Sequence, residues 1–170
     1  MGLLRHAPDR AGSLEQRRWE VDVYLNDCAI TGFLEGTQRR LTDYLQAIDD
    51  QITLQDAIVR SLRTGTELTR KRTAIVSVPS ILFMVDQEIT PTDNNSPLHV
   101  EKRAEDTMLN VGPFWIRGQV HVPQAGNLNH YIRGGAGAFI PITGVKISGH
   151  DQHTGRTILI NRNHLRVLLL

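Results

Sequence analysis

Five basic side chains lie close together in the sequence and could bind an anion. They are Arg60, Arg63, Arg70, Lys71 and Arg72, and they flank the connection between two predicted strands. Guanidinium and ammonium groups can hold phosphates, and such contacts weaken as the salt concentration rises. Glu67 lies inside the cluster, and no aromatic residue that could stack on a base is interleaved with it. The cluster therefore indicates either an anion- or nucleic-acid-binding loop or a solvated loop whose charges protect β-rich neighbours from aggregation.

His150 and His153, with Asp151 between them, have a spacing that could serve a metal ion. Two imidazoles in a loop would need a third ligand from elsewhere in the fold. No cysteine and no His-Glu pair stands beside them. The alternative is an ordinary polar hairpin turn, so the two histidines are weak candidates, and no metal or cofactor is predicted.

Other patterns that carry chemistry are missing or reversed. The run Gly134-Gly-Ala-Gly137 follows a predicted helix and leads into a strand, whereas a phosphate loop leads from a strand into a helix. There is no Gly-x-Ser-x-Gly nucleophile elbow. The single cysteine, Cys28, stands at a predicted strand start and is expected to be a small buried residue. No catalytic residue is predicted, and the chain is expected not to be an enzyme.

The elements that would position these residues occur twice. Gly118 lies 86 positions after Gly32, and both glycines sit in an alternating apolar run. Three more blocks follow in the same order at offsets of 87, 88 and 84, beginning at Leu41, Ile52 and Ala74. A glycine inside a strand marks a bulge, a bend or a close backbone approach. The repeat predicts two like subdomains that pack as an internal pseudo-dimer.

Each predicted copy contains strands and one short helix. Leu41, Tyr44, Leu45 and Ile48 form one apolar helical stripe, with Thr37 as a possible N-cap, and Leu128, Tyr131 and Ile132 repeat it. Tyr44 and Tyr131 are expected to bury their rings and to find a partner for the hydroxyl. Two further strands should form a hairpin at 52–62 with 74–85 and at 139–148 with 157–170, and the later strand is interrupted at Pro79-Ser80 or Asn163-His164.

Changes in composition and the positions of proline and polar residues divide the chain into segments. Residues 1–18 are predicted to be a flexible arm, 19–85 the first β-rich unit, 86–107 a polar, proline-bearing linker, and 108–170 the second unit. The net charge of +1 gives no global attraction to nucleic acid or anionic membranes. No window approaches the roughly 20 apolar residues of a membrane span. With one cysteine and a short N-terminal apolar run, a cytoplasmic location is expected.

These observations predict a mainly β fold with short helices. The two units would be small β-barrels or strongly bent sheets. The runs Phe139-Ile-Pro-Ile-Thr-Gly-Val-Lys-Ile147 and Thr157-Ile-Leu-Ile-Asn-Arg-Asn-His-Leu-Arg-Val167 resemble the last strands of uncharacterised prokaryotic small β-barrel proteins, broadly Sm-like or SH3-like. The resemblance implies tandem barrels, but the helix here follows the first strand of the unit and does not precede it. No functional residue is carried over.

The leading functional hypothesis is a non-enzymatic binding or scaffolding module. Exposed strand faces and sheet edges offer a surface for a protein partner or for self-association by strand addition. The alternative is RNA or other nucleic-acid binding through the basic loop of the first unit. A metal-dependent enzyme using His150 and His153 is the third possibility.

Overall fold

The computed structural model describes residues 15–48, 50–87, 101–134 and 137–169. In the first half, alternating apolar residues form strands and one apolar stripe forms a helix. These elements are β1 (Arg17–Tyr24), β2 (Cys28–Gly36), α1 (Leu41–Gln46), β3 (Gln51–Ser61), β4 (Glu67–Ser77) and β5 (Phe83–Asp86). A 3-10 turn at Val78–Ser80 separates β4 from β5. The predicted break therefore divides two strands, since Pro79 has no N–H to donate to a ladder.

The second half repeats this succession of elements. They are β6 (Lys102–Val111), β7 (Phe114–Pro123), α2 (Leu128–Gly134), β8 (Phe139–Ile147), β9 (Ile158–Asn161) and β10 (Leu165–Leu169). One 3-10 turn, Asp151–His153, lies between β8 and β9, and another, Arg162–His164, separates β9 from β10. The interruption predicted at Asn163-His164 is this second turn.

All ten strands of the described residues form one sheet. Their order is β10-β6-β7-β8-β9-β5-β1-β2-β3-β4, and every ladder in it is antiparallel. The first half contributes β5-β1-β2-β3-β4 and the second contributes β10-β6-β7-β8-β9, so the strands of the two halves follow the same order. The predicted mainly β fold with short helices is confirmed. The sheet is open, and closed barrels are not confirmed.

The repeated glycines lie where the sheet bends. The β2–β3 register shifts at Gly32, and the β7–β8 register shifts at Gly118. A Cβ on Gly32 would lie 3.0 Å from the backbone oxygen of Gln55, and one on Gly118 would lie 3.0 Å from that of Thr143. Each glycine therefore allows a close backbone approach at a bulge, as the sequence predicted.

Each half has its own cluster of buried apolar side chains. The first-half cluster contains Trp19, Val21, Leu34, Ile52 and their neighbours, and α1 adds Leu41 and Leu45 to it. The second-half cluster contains Val111, Ile116, Ile142, Ile147 and their neighbours, and α2 adds Leu128 and Ile132. The helices thus cover the cores, because helices this short are stable only when packed on a sheet.

Two local predictions were wrong. Thr37 does not cap α1, which begins at Leu41 after an extended Arg40 and has no side-chain cap. β4 begins at Glu67, seven residues before the predicted Ala74. Apart from Leu68, the intervening residues are charged or polar, and this pattern predicts a loop. They form a strand because an exposed outer strand can carry charge on both faces.

Several predictions fall partly outside the described residues. These include most of the arm at 1–18, the greater part of the linker at 86–107, two residues of the run at 134–137, and residue 170. The strands on either side of the predicted linker end at Asp86 and begin at Lys102. In the described part of the chain, no helix is both long and apolar enough to cross a membrane.

Candidate functional site

The five cations do not gather on one loop. Arg60 lies in β3, where its Nη1 donates a hydrogen bond of 3.0 Å to Thr31 Oγ1, and Arg63 lies in the turn after β3. Arg70, Lys71 and Arg72 lie in β4. Consecutive strand residues point to opposite faces, so Lys71 projects away from Arg70 and Arg72. Arg70, Lys71 and Arg72 therefore place positive charge on both faces of β4.

Arg70 has a partner on its own strand. Its Nη2 and Nε donate to the Glu67 carboxylate at 3.1 and 3.3 Å. The hydrogen bond from Arg70 lowers the pKa of Glu67, and the same bond raises the pKa of Arg70. Both groups are exposed, so this ion pair adds little to stability. It does reduce the charge that Arg70 could offer to an outside anion.

The two halves meet along one ladder, which we call the seam. β5 pairs with β9, with Phe83 opposite Ile160, Met84 opposite Leu159 and Val85 opposite Ile158. The seam buries side chains on both faces of the sheet. Phe83 and Val85 pack into the second-half core, whereas Met84 and Leu159 pack into the first-half core.

His153 lies beside the seam and contacts the first half. It is buried, and its Nε2 lies 2.5 Å from the hydroxyl of Tyr24, in a hydrogen bond that joins the two halves. The ring of His150 packs edge-on against Tyr24 and tilted against Phe114. Among the described residues, no group of three or more His, Cys, Asp or Glu side chains could hold a metal ion.

Burial controls the protonation of this pair. It raises the pKa of Tyr24 to about 12, an effect that the nearby Asp22 reinforces. Desolvation lowers the pKa of His153 and outweighs Asp22, whose carboxylate lies 3.9 Å from Nε2 and acts in the other direction. Both side chains are therefore neutral near pH 7. A phenol held neutral in this way is a poor general base, and the pair serves to connect the halves.

Asp22 extends the polar contact beside the seam. Its carboxylate accepts hydrogen bonds from Thr31 Oγ1 at 2.6 Å and from Gln87 Nε2 at 2.5 Å. Arg156 of the second half donates to the backbone oxygen of Gln87 at 2.8 Å. The network links β1, β2 and the end of β5 with the loop that precedes β9.

Asn161 holds the other end of the seam. It is completely buried, and its Nδ2 donates to the backbone oxygens of Val78 and Ile81 at 3.2 and 3.0 Å. His164 Nε2 donates to Pro79 O at 2.6 Å. Two side chains of the second half therefore hydrogen-bond to the 3-10 turn of the first half and the residue that follows it. Sequence reasoning missed Asn161, and its only signal was a polar residue closing the apolar run Ile158–Ile160.

The surroundings of the remaining candidate residues indicate roles in packing. Burial raises the pKa of the Cys28 thiol, so it is a weak nucleophile near neutral pH. Desolvation also raises the pKa of Tyr44 and of Tyr131. The ring of Tyr44 packs 5.4 Å from that of Trp19. At Gly137 the φ angle is +85°, and an added Cβ would lie 2.9 Å from Gln46, so this glycine serves a tight contact between the halves.

The two outer strands, β4 and β10, carry unusual exposed surface. In the described sheet, β4 pairs only with β3, and β10 pairs only with β6. Four of the five large apolar side chains that the described residues expose lie on these strands. They are Leu68 (61% exposed) and Ile75 (68%) on β4, and Val167 (37%) and Leu169 (50%) on β10. Unpaired backbone groups and apolar side chains together make these strands, which we call the edges, the candidate functional site.

A groove of about 520 Å³ runs beside the β10 edge. It lies between α2, the 3-10 turn before β10, and β10 itself. Three arginines line it, Arg133, Arg162 and Arg166, together with two asparagines and the apolar residues Ile132, Leu165, Val167 and Leu168. No carboxylate is among these lining residues. The groove is therefore suited to an apolar side chain accompanied by a negative charge.

Comparisons with known proteins add no assignment. No protein-family model matches the chain, and neither a curated protein nor a solved structure matches it.

Proposed function

We propose that this chain is a non-enzymatic scaffolding module that binds protein chains by strand addition at its two edges, β4 and β10. We further propose that it is an internal pseudo-dimer of two like bent-sheet units of the Sm-like or SH3-like kind that the sequence resembles. The shared strand order of the halves and the matching bulges at Gly32 and Gly118 support this architecture.

The observation that carries the proposal is the apolar surface of the edges. An unpaired strand offers a row of free N–H and C=O groups, and proteins usually shield such strands with charge, proline or bulges. β4 has charges at its centre, but Ile75 lies near its end and is 68% exposed. Val167 and Leu169 face outward on β10. Strand addition would pair the backbone and bury these side chains in the same step.

The seam provides a precedent within the chain. There, β5 and β9 join two otherwise separate cores through an antiparallel ladder and through side chains that cross into the neighbouring core. The same chemistry at β4 and β10 requires only a partner strand.

Two measurements test the scaffolding function. The mass in solution and the proteins captured from a lysate should be compared for the wild-type chain and for an Ile75→Lys, Val167→Lys double variant. We expect the wild-type chain to assemble or to retain a partner that the double variant loses. A wild-type monomer that captures nothing, or a double variant that captures the same partner, contradicts the proposal.

A second candidate function is nucleic-acid binding by β4. The observation in its favour is that Arg63, Lys71 and Arg72 are exposed and make no ion pair within the described part of the chain. If this function exists, changing Arg70, Lys71 and Arg72 to Ala should abolish RNA binding, and affinity should fall steeply as salt rises. Undetectable or salt-independent binding by the intact chain would remove this candidate.

A further inference from the structure

We propose that the partner of each edge is the opposite edge of a second copy of this chain, so that β4 of one copy pairs antiparallel with β10 of the next. This inference rests on the proposed function and specifies its partner. It follows from the register of the two halves, from the side chains buried at the seam, and from the groove beside β10.

The register of the two halves is the same, ladder by ladder. Met84 of β5 pairs with Val23 of β1, and Leu168 of β10 pairs with Leu109 of β6. Val23 and Leu109 are equivalent, because each lies two residues beyond the position opposite the bulge glycine. β10 is therefore the counterpart of β5, at an offset of 84 residues. β9 and β4 stand at the same offset, since each ends directly before its 3-10 turn, at Asn161 and at Ser77.

The seam joins the fifth strand of the first half to the fourth strand of the second half. The strands left unpaired are the fourth strand of the first half, β4, and the fifth strand of the second half, β10. The two free edges are thus the same pair of strands that the seam already uses. Repeating the seam between copies would pair them.

The exposed apolar side chains occupy the positions that the seam buries. Val167 and Leu169 of β10 correspond to Phe83 and Val85, which are 0% exposed because they enter the core of the neighbouring half. Ile75 of β4 corresponds to Leu159, which is 2% exposed for the same reason. The edges therefore expose the residues that a seam-like contact would bury.

The equivalence predicts which residues meet. The seam pairs Phe83 with Ile160, Met84 with Leu159 and Val85 with Ile158. The corresponding pairs between copies are Val167 with Val76, Leu168 with Ile75, and Leu169 with Ala74. In this register Ile75 lies on the face of Leu168, toward the second-half core of the next copy. Val167 lies on the face of Val76, toward the first-half core.

The groove beside β10 lies against α2, and it corresponds to the site against α1 that residues of the other half fill at the seam. At the seam, Phe139 and Ala138 of the second half pack into the first-half core, which α1 covers. By the β3–β8 register their counterparts in the first half are Gln51 and Asp50, at an offset of 88 residues. Between copies, Ile75 and Asp50 would therefore approach the groove lined by Arg133, Arg162 and Arg166. An aspartate beside three arginines gives the contact complementary charge.

This contact is head-to-tail, since each copy offers two different edges. A contact of this kind produces a closed ring if the rotation between copies returns to the start, and a filament if it does not. An isologous dimer, in which β4 pairs with β4 or β10 with β10, is a different assembly, and mixed variants can distinguish the two.

Complementation between two edge variants tests the inference. Ile75→Lys places a cation against three arginines and blocks the β4 edge, while Val167→Lys blocks the β10 edge. Both side chains are exposed in the single chain, so each variant should fold. Leu68→Lys is the matched control, because Leu68 lies on β4 but outside the three predicted pairs. Masses in solution are measured by light scattering, and circular dichroism checks the fold.

We expect the wild-type chain and Leu68→Lys to form assemblies larger than two chains. Each edge variant alone should remain a 19.1 kDa monomer. An equal mixture of the two should form a species of twice that mass, because one intact β4 and one intact β10 remain. A folded variant that still assembles alone, or a mixture that stays monomeric, overturns the inference.

If the wild-type chain is monomeric but captures another protein through its edges, the copy-to-copy inference fails and the scaffolding proposal stands. If it does neither, both fail.

Discussion

Tyr24, His153 and Asn161 show how single polar residues fix the seam. Each is buried, and each makes a hydrogen bond to the other half of the chain. A buried polar group that loses its partner costs about 1–3 kcal/mol, since water cannot replace the bond. These residues therefore help to determine how the two halves fit together.

The protonation of His153 should make stability depend on pH. Burial lowers the folded-state pKa below the ordinary 6.5, so the unfolded chain takes up a proton at a higher pH than the folded chain. The stability contribution is full above pH 6.5 and is lost as the pH falls below it. We expect the urea midpoint to drop between about pH 7.5 and pH 5, and to drop less in His153→Gln. The pKa of His150 is lowered in the same direction. Equal pH dependence in the variant and the wild-type chain would contradict this assignment.

Asn161→Ala should destabilise the fold by about 1–3 kcal/mol, because the backbone oxygens of Val78 and Ile81 lose a buried donor. Asn163→Ala is the matched control. Asn163 is exposed and contributes its backbone N–H to Asn161 Oδ1, so its side chain can be removed at little cost. Urea unfolding of both variants provides the comparison. Similar losses at the two positions would show that Asn161 does not hold the seam.

At the scale of elements, the two halves bend at the same place. The bulges at Gly32 and Gly118 lie between the second and third strands of each half, and α1 and α2 connect those same strands. Asp56 and Gly144, which face these bulges at equivalent positions, have φ angles of +51° and +59°. In each half, a residue with positive φ faces a glycine at the bulge, so the backbone bends in the same way in both halves.

Gly32→Ala and Gly118→Ala should each destabilise the protein by about 1–3 kcal/mol through overpacking. The new Cβ would lie 3.0 Å from a backbone oxygen at both sites, and at Gly118 also 2.6 Å from Ile142 Cγ2. Gly134→Ala is the control, since its Cβ would meet His130 at an ordinary 3.4 Å. Thermal or urea unfolding measures the difference. Unchanged stability in both bulge variants would contradict the close approach.

The elements were more predictable from the sequence than their contacts. Alternating apolar residues and the helical stripe are local patterns, so the strands and the helices could be identified. The basic run at Arg70–Arg72 does not reveal its strand, because β4 has little apolar periodicity there. The Tyr24–His153 contact spans 129 residues, and no local pattern indicates it. The alternation of β1 does not indicate the burial of Tyr24, because that side chain packs against the other half.

At the scale of the whole molecule, the chain contains one seam and the two strands needed to make another. The residues that the internal seam buries have exposed counterparts at the edges. In the proposed assembly, copies of the chain continue the sheet through the same kind of contact as the seam. The register of the β4–β10 contact is the most specific consequence of this assembly.

A disulfide between copies tests that register. Asn161 N donates to Leu82 O at 3.0 Å, so the next pair along the seam, Phe83 with Ile160, is a non-hydrogen-bonded pair with close side chains. Its predicted counterpart between copies, Val167 with Val76, should have Cα atoms about 4.5 Å apart, within the range of a disulfide. Val76→Cys and Val167→Cys are made in separate chains, each with Cys28→Ser, and mixed under mild oxidation. Leu168→Cys mixed with Val76→Cys is the control, because neighbouring strand residues face opposite ways.

The mass of the oxidised mixtures tests whether β4 and β10 pair between copies in the predicted register. We predict a covalent pair of chains from Val76→Cys with Val167→Cys, and little or none from the control mixture or from either variant alone. Equal cross-linking in the control, or no covalent pair from the in-register mixture, would contradict the claim that β4 and β10 repeat the seam between copies.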